Sequence, residues 1–178
     1  CYDLDLSHCG GVVTVTPLGR VHTLNLSHCS QLVDVSCLGG VHTLSLASCP
    51  LVVDVSMLGG VYSLDLSGCF RLSDVSALGG VFALRLNECT AVADVSALGG
   101  CHDLSLSGCC SIVDVSALGS VHTLDLSFCD RVVDVRALGS VVALRLCSCI
   151  GVTDIRALGG VKKLDLTNCS NIEHLIGE

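Results

Sequence analysis

Fourteen cysteines, seven histidines and seventeen acidic residues occupy a chain of 178. Most of them are spaced as if to do chemistry. Nine cysteines fall at one interval of 20 residues: Cys9, Cys29, Cys49, Cys69, Cys89, Cys109, Cys129, Cys149 and Cys169. A row of thiols could pair as disulfides or hold a metal. Seven aspartates, from Asp34 to Asp154, keep the same interval and could serve as calcium ligands. His22, His42, His102 and His122 share a third phase, while His8 and His28 stand next to Cys9 and Cys29. Serines are abundant, so the parts of a hydrolase are all present.

The regular interval argues against each of these chemistries. Neighbouring column cysteines lie about one strand spacing apart, ~4.8 Å, with their Cβ atoms pointing in parallel. A disulfide asks for Cβ atoms roughly 3.8 Å apart, and an odd number cannot all pair. The column therefore reads as reduced thiols, small hydrophobes with a weak donor. Reduced thiols place the chain in an intracellular compartment rather than a secreted one. Calcium wants about six to eight oxygens, usually gathered from several positions of one loop, but the residues around each aspartate are Val and Ala. Each carboxylate reads instead as an acceptor for backbone N–H groups two or three residues on. Arg136 and Arg156, two residues after Asp134 and Asp154, then relieve local negative charge. A zinc site needs about three or four convergent ligands, yet the histidine phase also accepts Tyr62, Phe82, Val142 and Lys162. That position reads as a partly covered surface. A hydrolase needs nucleophile, base and orienting group in one place. Here they recur in rows, with no nucleophile elbow, phosphate loop or C-x-x-C. No catalytic residue, metal or cofactor is expected.

These residues are positioned by a repeat, V-x-x-L-x-L-S-x-C-x-x-V-x-D-V-S-A-L-G-G, of which nine copies fill the chain without insertion. Such a strict period marks a solenoid, whose coils share one continuous core. In the copy beginning at Val121, Leu124 and Leu126 alternate with Thr123, Asp125 and Ser127, which predicts a short strand. Cys129, Val132, Val135 and Leu138 follow at uneven spacing, as a coil wrapping round a core requires. The aspartate before V-S-A-L predicts a short 3₁₀ or β-turn segment on the outer side. The glycine column, Gly19 to Gly159, reads either as backbone with φ > 0 or as close approach between coils. Little or no α-helix is expected.

The run Val121, Leu124, Leu126, Cys129 and Val132 resembles the leucine-rich-repeat signature L-x-x-L-x-L-x-x-N/C-x-L. It does so in every copy, with Val at the first Leu position and Cys at the Asn/Cys position. The D-V-S-A-L segment is similar to the D-I-x-P-L segment of internalin-type repeats, although this repeat is shorter and carries Cys where internalins have Asn. The resemblance implies a curved, right-handed stack with a parallel sheet on its inner face. It implies no particular ligand.

Hydrophobic residues make up 51% of the chain but aromatics only 3%, so Leu, Val, Ala and Cys must build the core. A net charge of −8 argues against nucleic acid, whose phosphates need a basic surface. No apolar run of about 18 residues is present, so no membrane-spanning helix is read. The chain starts in repeat phase at Cys1, without Met or a signal peptide, as an excised piece of a longer array would. Residues 1–178 read as one solenoid whose last repeat is incomplete. Cys1 replaces the first Val, and Glu173, His174 and Glu178 give only a weak polar cap. End-to-end self-association through open sheet edges is therefore expected.

The inner sheet face is the default binding surface that the resemblance implies. Three outward columns are expected on the strands, starting at Asp3, Asp5 and Ser7. A fourth, variable column lies just beyond: His8, His28, Ser48, Gly68, Glu88, Gly108, Phe128, Ser148 and Asn168. Binding surfaces rely on a few aromatic or Arg anchors, and Arg85, Arg145 and Phe128 qualify. The candidate binding residues are Asp65, Arg85, Glu88, Asp125, Phe128, Arg145 and Asp165. Asp65 beside Arg85, and Arg145 between Asp125 and Asp165, are open to two readings: they neutralise one another along the ladder, or they meet a ligand. Three functions follow: an interaction module binding a protein on the concave sheet, a structural array giving a rigid spacer, or a binder of a regular surface such as carbohydrate or ice. The partner's identity is unknown.

Overall fold

The computed structural model describes residues 2–172. The expectations about Cys1, Glu173, His174 and Glu178 fall outside them. Each repeat contributes one three-residue strand: β1 Asp3–Asp5, β2 Thr23–Asn25, β3 Thr43–Ser45, β4 Ser63–Asp65, β5 Ala83–Arg85, β6 Asp103–Ser105, β7 Thr123–Asp125, β8 Ala143–Arg145 and β9 Lys163–Asp165. All pair in parallel, in chain order, in one sheet. The register offset is one repeat throughout, so Leu64 faces Leu84 and Leu84 faces Leu104. The sequence demands this register, because a slip of one residue would turn the leucines out of the core.

On the far side of most coils a 3₁₀ segment turns the chain back, as at Ser76–Gly80 and Ser96–Gly100. The third coil, which carries Met57 where most others have Ala, has turns there instead. The aspartates act as expected. Asp74 Oδ1 accepts the Ser76 N–H at 3.0 Å, and Asp94 does the same for Ser96 at 2.9 Å. These hydrogen bonds hold each carboxyl below its ordinary range. Arg136 and Arg156 add their guanidinium groups, each donating through Nε to Asp134 or Asp154 at 2.9 Å. With that help the Asp134 carboxyl falls to about 2.

Between sheet and 3₁₀ layer runs a core of stacked identical side chains. In the fourth coil Leu64, Leu66, Cys69, Leu72 and Leu78 are all fully buried. The glycine column is settled in favour of close approach. A Cβ on Gly79 would lie 2.2 Å from the carbonyl oxygen of Ala97 in the next coil. Its counterpart Gly19 has φ −63°, an ordinary right-handed value. Coils can stack this tightly only where that position has no side chain.

Candidate binding face

Two features of each coil shape the surface that a ligand would meet. The first is the thiol. Cys89 Sγ donates to the carbonyl oxygen of Leu66 in the preceding coil at 3.1 Å, and that same oxygen accepts the Cys69 N–H at 3.1 Å. Both lone pairs of the carbonyl are thereby used, one within its own coil and one from the next. The pattern repeats from Cys29 to Cys169, at 2.8 to 3.3 Å. Burial pushes the thiols from Cys29 to Cys149 up, to about 11 at Cys49, Cys89 and Cys149 and about 12 at Cys69 and Cys129.

The second feature is the residue just before each cysteine, and the sequence did not reveal its conformation. Cys129 N–H donates to Leu126 O at 3.1 Å, closing a four-residue turn. The third residue of that turn has φ > 0, as in type II turns. His8, His28, Ser48, Glu88, Phe128, Ser148 and Asn168 all have φ between 56° and 62°, and Gly68 and Gly108 have 74° and 76°. Gly68, Gly108 and Asn168 in one column were the available signal, since Gly and Asn visit this region most readily. A phenylalanine or glutamate there is strained by about 1–3 kcal/mol.

The expected third outward column, starting at Ser7, lies just past the strands, and at Ser127 it is turned away from solvent. The strands end at the second outward position, as β7 does at Asp125, and the chain then turns inward. Ser127 is only 3% exposed, and its hydroxyl donates to Asp125 Oδ1 at 2.6 Å. Of the same column, Asn87, Ser107 and Cys147 are half-buried and line an open cleft beyond the strands.

A second missed feature is a continuous ring ladder along one side of the sheet. Tyr2, His22, His42, Tyr62, Phe82, His102 and His122 stack in order, centroids 4.4 to 4.8 Å apart. That matches the strand spacing of ~4.8 Å, so the sheet itself sets the stacking distance. His8 and His28 form a separate stack at 4.4 Å. A planar residue in this phase at coil after coil was the signal. Among the described residues no group of three or more His, Cys, Asp or Glu side chains gathers where a metal could sit. No helix among them is long and apolar enough to cross a membrane.

The seven candidate binding residues divide into two neighbouring places and one outlier. Arg85, Asp125, Arg145 and Asp165 line an open groove of about 580 Å³ across β5 to β9. Arg145 is held by two carboxylates, Asp125 at 3.2 Å and Asp165 at 3.7 Å. Arg85 is exposed and forms no ion pair among the described residues. Glu88 and Phe128 lie beyond the strands, on a second cleft of about 510 Å³ that shares Asp125 and Arg145 with the groove. Asp65 borders neither of these two. It accepts the Ser67 N–H at 2.9 Å and makes no ion pair with its register neighbour Arg85.

No protein-family model matches the chain, and no curated protein matches it. Solved structures do. An internalin of Listeria monocytogenes superposes with TM-score 0.60 at 20% identity, over 86% of this chain and 57% of the internalin. Internalin C2 of the same organism gives 0.64 at 22%, over 88% and 77%. A leucine-rich-repeat protein of Leptospira interrogans gives 0.54 at 16%, over 96% and 53%. The chain thus spans little more than half of the first and third of these. Likeness at such identities is likeness of fold, and it agrees with the repeat signature and the strand register: the chain is a solenoid of the leucine-rich-repeat fold.

Proposed function

We propose that the chain is a non-enzymatic interaction module that binds a protein on its concave sheet. One observation carries this reading. The outward strand positions vary between coils whose buried positions are near-copies, and on the sheet that variation builds a groove with an unpaired guanidinium, Arg85, at one end. A spacer has no use for such a groove. Arg85 supplies a planar, fixed donor set suited to a carboxylate of the partner. Arg145, already occupied by Asp125 and Asp165, braces the floor. The test is capture by the wild-type chain, by Arg85→Ala and by Arg71→Ala, an exposed cation outside the groove. A partner retained by wild type and Arg71→Ala but lost by Arg85→Ala supports the reading. A partner held equally by all three overturns it.

We further propose that the thiol column is reduced in the working protein, and hence that the chain works in a reducing compartment. Its support is the S–H donation from coil to coil, which a disulfide would abolish. Alkaline titration of the purified chain without reductant tests it, because thiols titrate and disulfides do not. A chain that shows no thiolate absorbance would overturn it.

A further inference from the structure

We infer that the cleft at Gly108 is a receiving notch for one cationic side chain, Lys or Arg, from an extended segment of the partner. This rests on the reading of the chain as a protein-binding module, but it uses a different place from the Arg85 groove. Glu88, Gly108 and Phe128 are consecutive members of the column with positive φ. Glu88 and Phe128 are therefore two strand spacings apart, ~10 Å, with a residue that has no side chain between them. The cleft they border measures about 510 Å³.

Its chemistry is that of a cation with an apolar stem. Phe128 is 57% exposed, and its ring supplies a face for cation–π contact. Glu88 is exposed and makes no ion pair among the described residues. The other charges at the cleft cancel, since Asp125 and Arg145 pair with each other at 3.2 Å. One uncompensated negative charge remains. Backbone strain points the same way. The chain places Phe at φ 61° and Glu at φ 60°, where Gly or Asn would sit with less strain. Neither side chain is needed for the turn, because Gly68 and Gly108 make it without one.

The experiment is selection from a randomised peptide library, about twelve residues long so that an extended peptide can cross several coils, on the immobilised wild-type chain. Selected peptides are then titrated against four variants. Glu88→Gln removes the charge and keeps the shape. Phe128→Asn removes the ring and tolerates positive φ. Gly108→Asn fills the notch: the φ of 76° strains any side chain there, Asn less than most, and the added Cβ meets Glu88 Cγ at 3.4 Å. Arg85→Ala reports on the sheet groove alone. The expected result is enrichment of Lys or Arg at one peptide position, with affinity falling roughly tenfold in each of the first three variants. Circular dichroism confirms that each variant is folded, and agreement among three different substitutions guards against the failure of any one. Selected peptides without a basic residue, peptides indifferent to Glu88→Gln, or no selected peptide at all would each overturn the inference. Peptides sensitive to Arg85→Ala and not to Glu88→Gln would overturn it while leaving the proposed function standing. The reverse pattern would support the notch and tell against the groove.

Discussion

Two adjacent columns of the coil obey opposite rules. At the cysteine position every described coil from Cys29 to Cys169 uses the same side chain for the same bond. At the position just before it every coil takes the same unusual backbone angle, yet the side chains run from Gly to Phe. The backbone is equally demanding at both. What differs is where the side chain goes. The thiol is sealed between coils, and its neighbour stands at the rim of the open face. Repetition of structure therefore fixes a residue only where the side chain itself is part of the repeat. Variation at a position where the backbone prefers Gly or Asn is the stronger sign of use.

High pH should separate the two columns most sharply. The ordinary thiol value is 9.0, and burial raises Cys49, Cys69 and Cys129 in the folded chain to about 11 or 12. A folded value above the unfolded one gives stability that is complete below pH ~9 and is lost as pH climbs toward 11–12. Each tenfold difference in proton affinity between folded and unfolded chain corresponds to about 1.4 kcal/mol, and several thiols act together. Far-ultraviolet circular dichroism should show cooperative unfolding in that window, together with thiolate absorbance. A chain that stays folded at pH ~12 with its thiols ionised would show that the sealed column does not hold the coils together.

A single member of the column should matter less. Cys89→Ala leaves one lone pair of the Leu66 carbonyl unused in a fully buried setting and opens a small void. The expected loss is about 1–3 kcal/mol in a urea melt, against about 0.5 kcal/mol or less for Thr123→Ala on the exposed face. Equal losses would mean that the sealed and open sides of the coil do not differ in their demands.

The smallest effect should have the opposite sign. Phe128→Gly relieves a strained φ of 61° at a side chain that is 57% exposed. It should raise stability by up to about 1 kcal/mol, a gain visible as a higher midpoint in the same melt. A marked fall in stability would show that Phe128 packs as part of the fold, and would weaken its place in the notch.

Much of this was legible in the sequence. Leu124 and Leu126 against Thr123 and Asp125 specified a strand and its faces, and Asp134 before V-R-A-L specified a turn. Both readings work because the physical demand falls on side chains spaced by a fixed period. Ser127 was misplaced because alternation of apolar and polar residues continues past the point where the strand ends. The pattern cannot mark that end, since the serine is polar for its bond to Asp125. Phe128 and Glu88 were picked out by type, but their backbone angle was hidden by the very diversity that made them candidates. Asp65 and Arg85 show the limit for charges. Register neighbours of opposite sign need not touch, and only the folded chain reveals that Arg145 is held while Arg85 is not.

The ring ladder has a mechanical consequence. Seven rings in contact, from Tyr2 to His122, resist both closing up and fanning apart along one border of the sheet. They act as a stiff spine for the coils that bear them. The next two coils carry Val142 and Lys162 in that phase, and the spine stops there. The coils of β8 and β9, where the groove ends, lack that bracing.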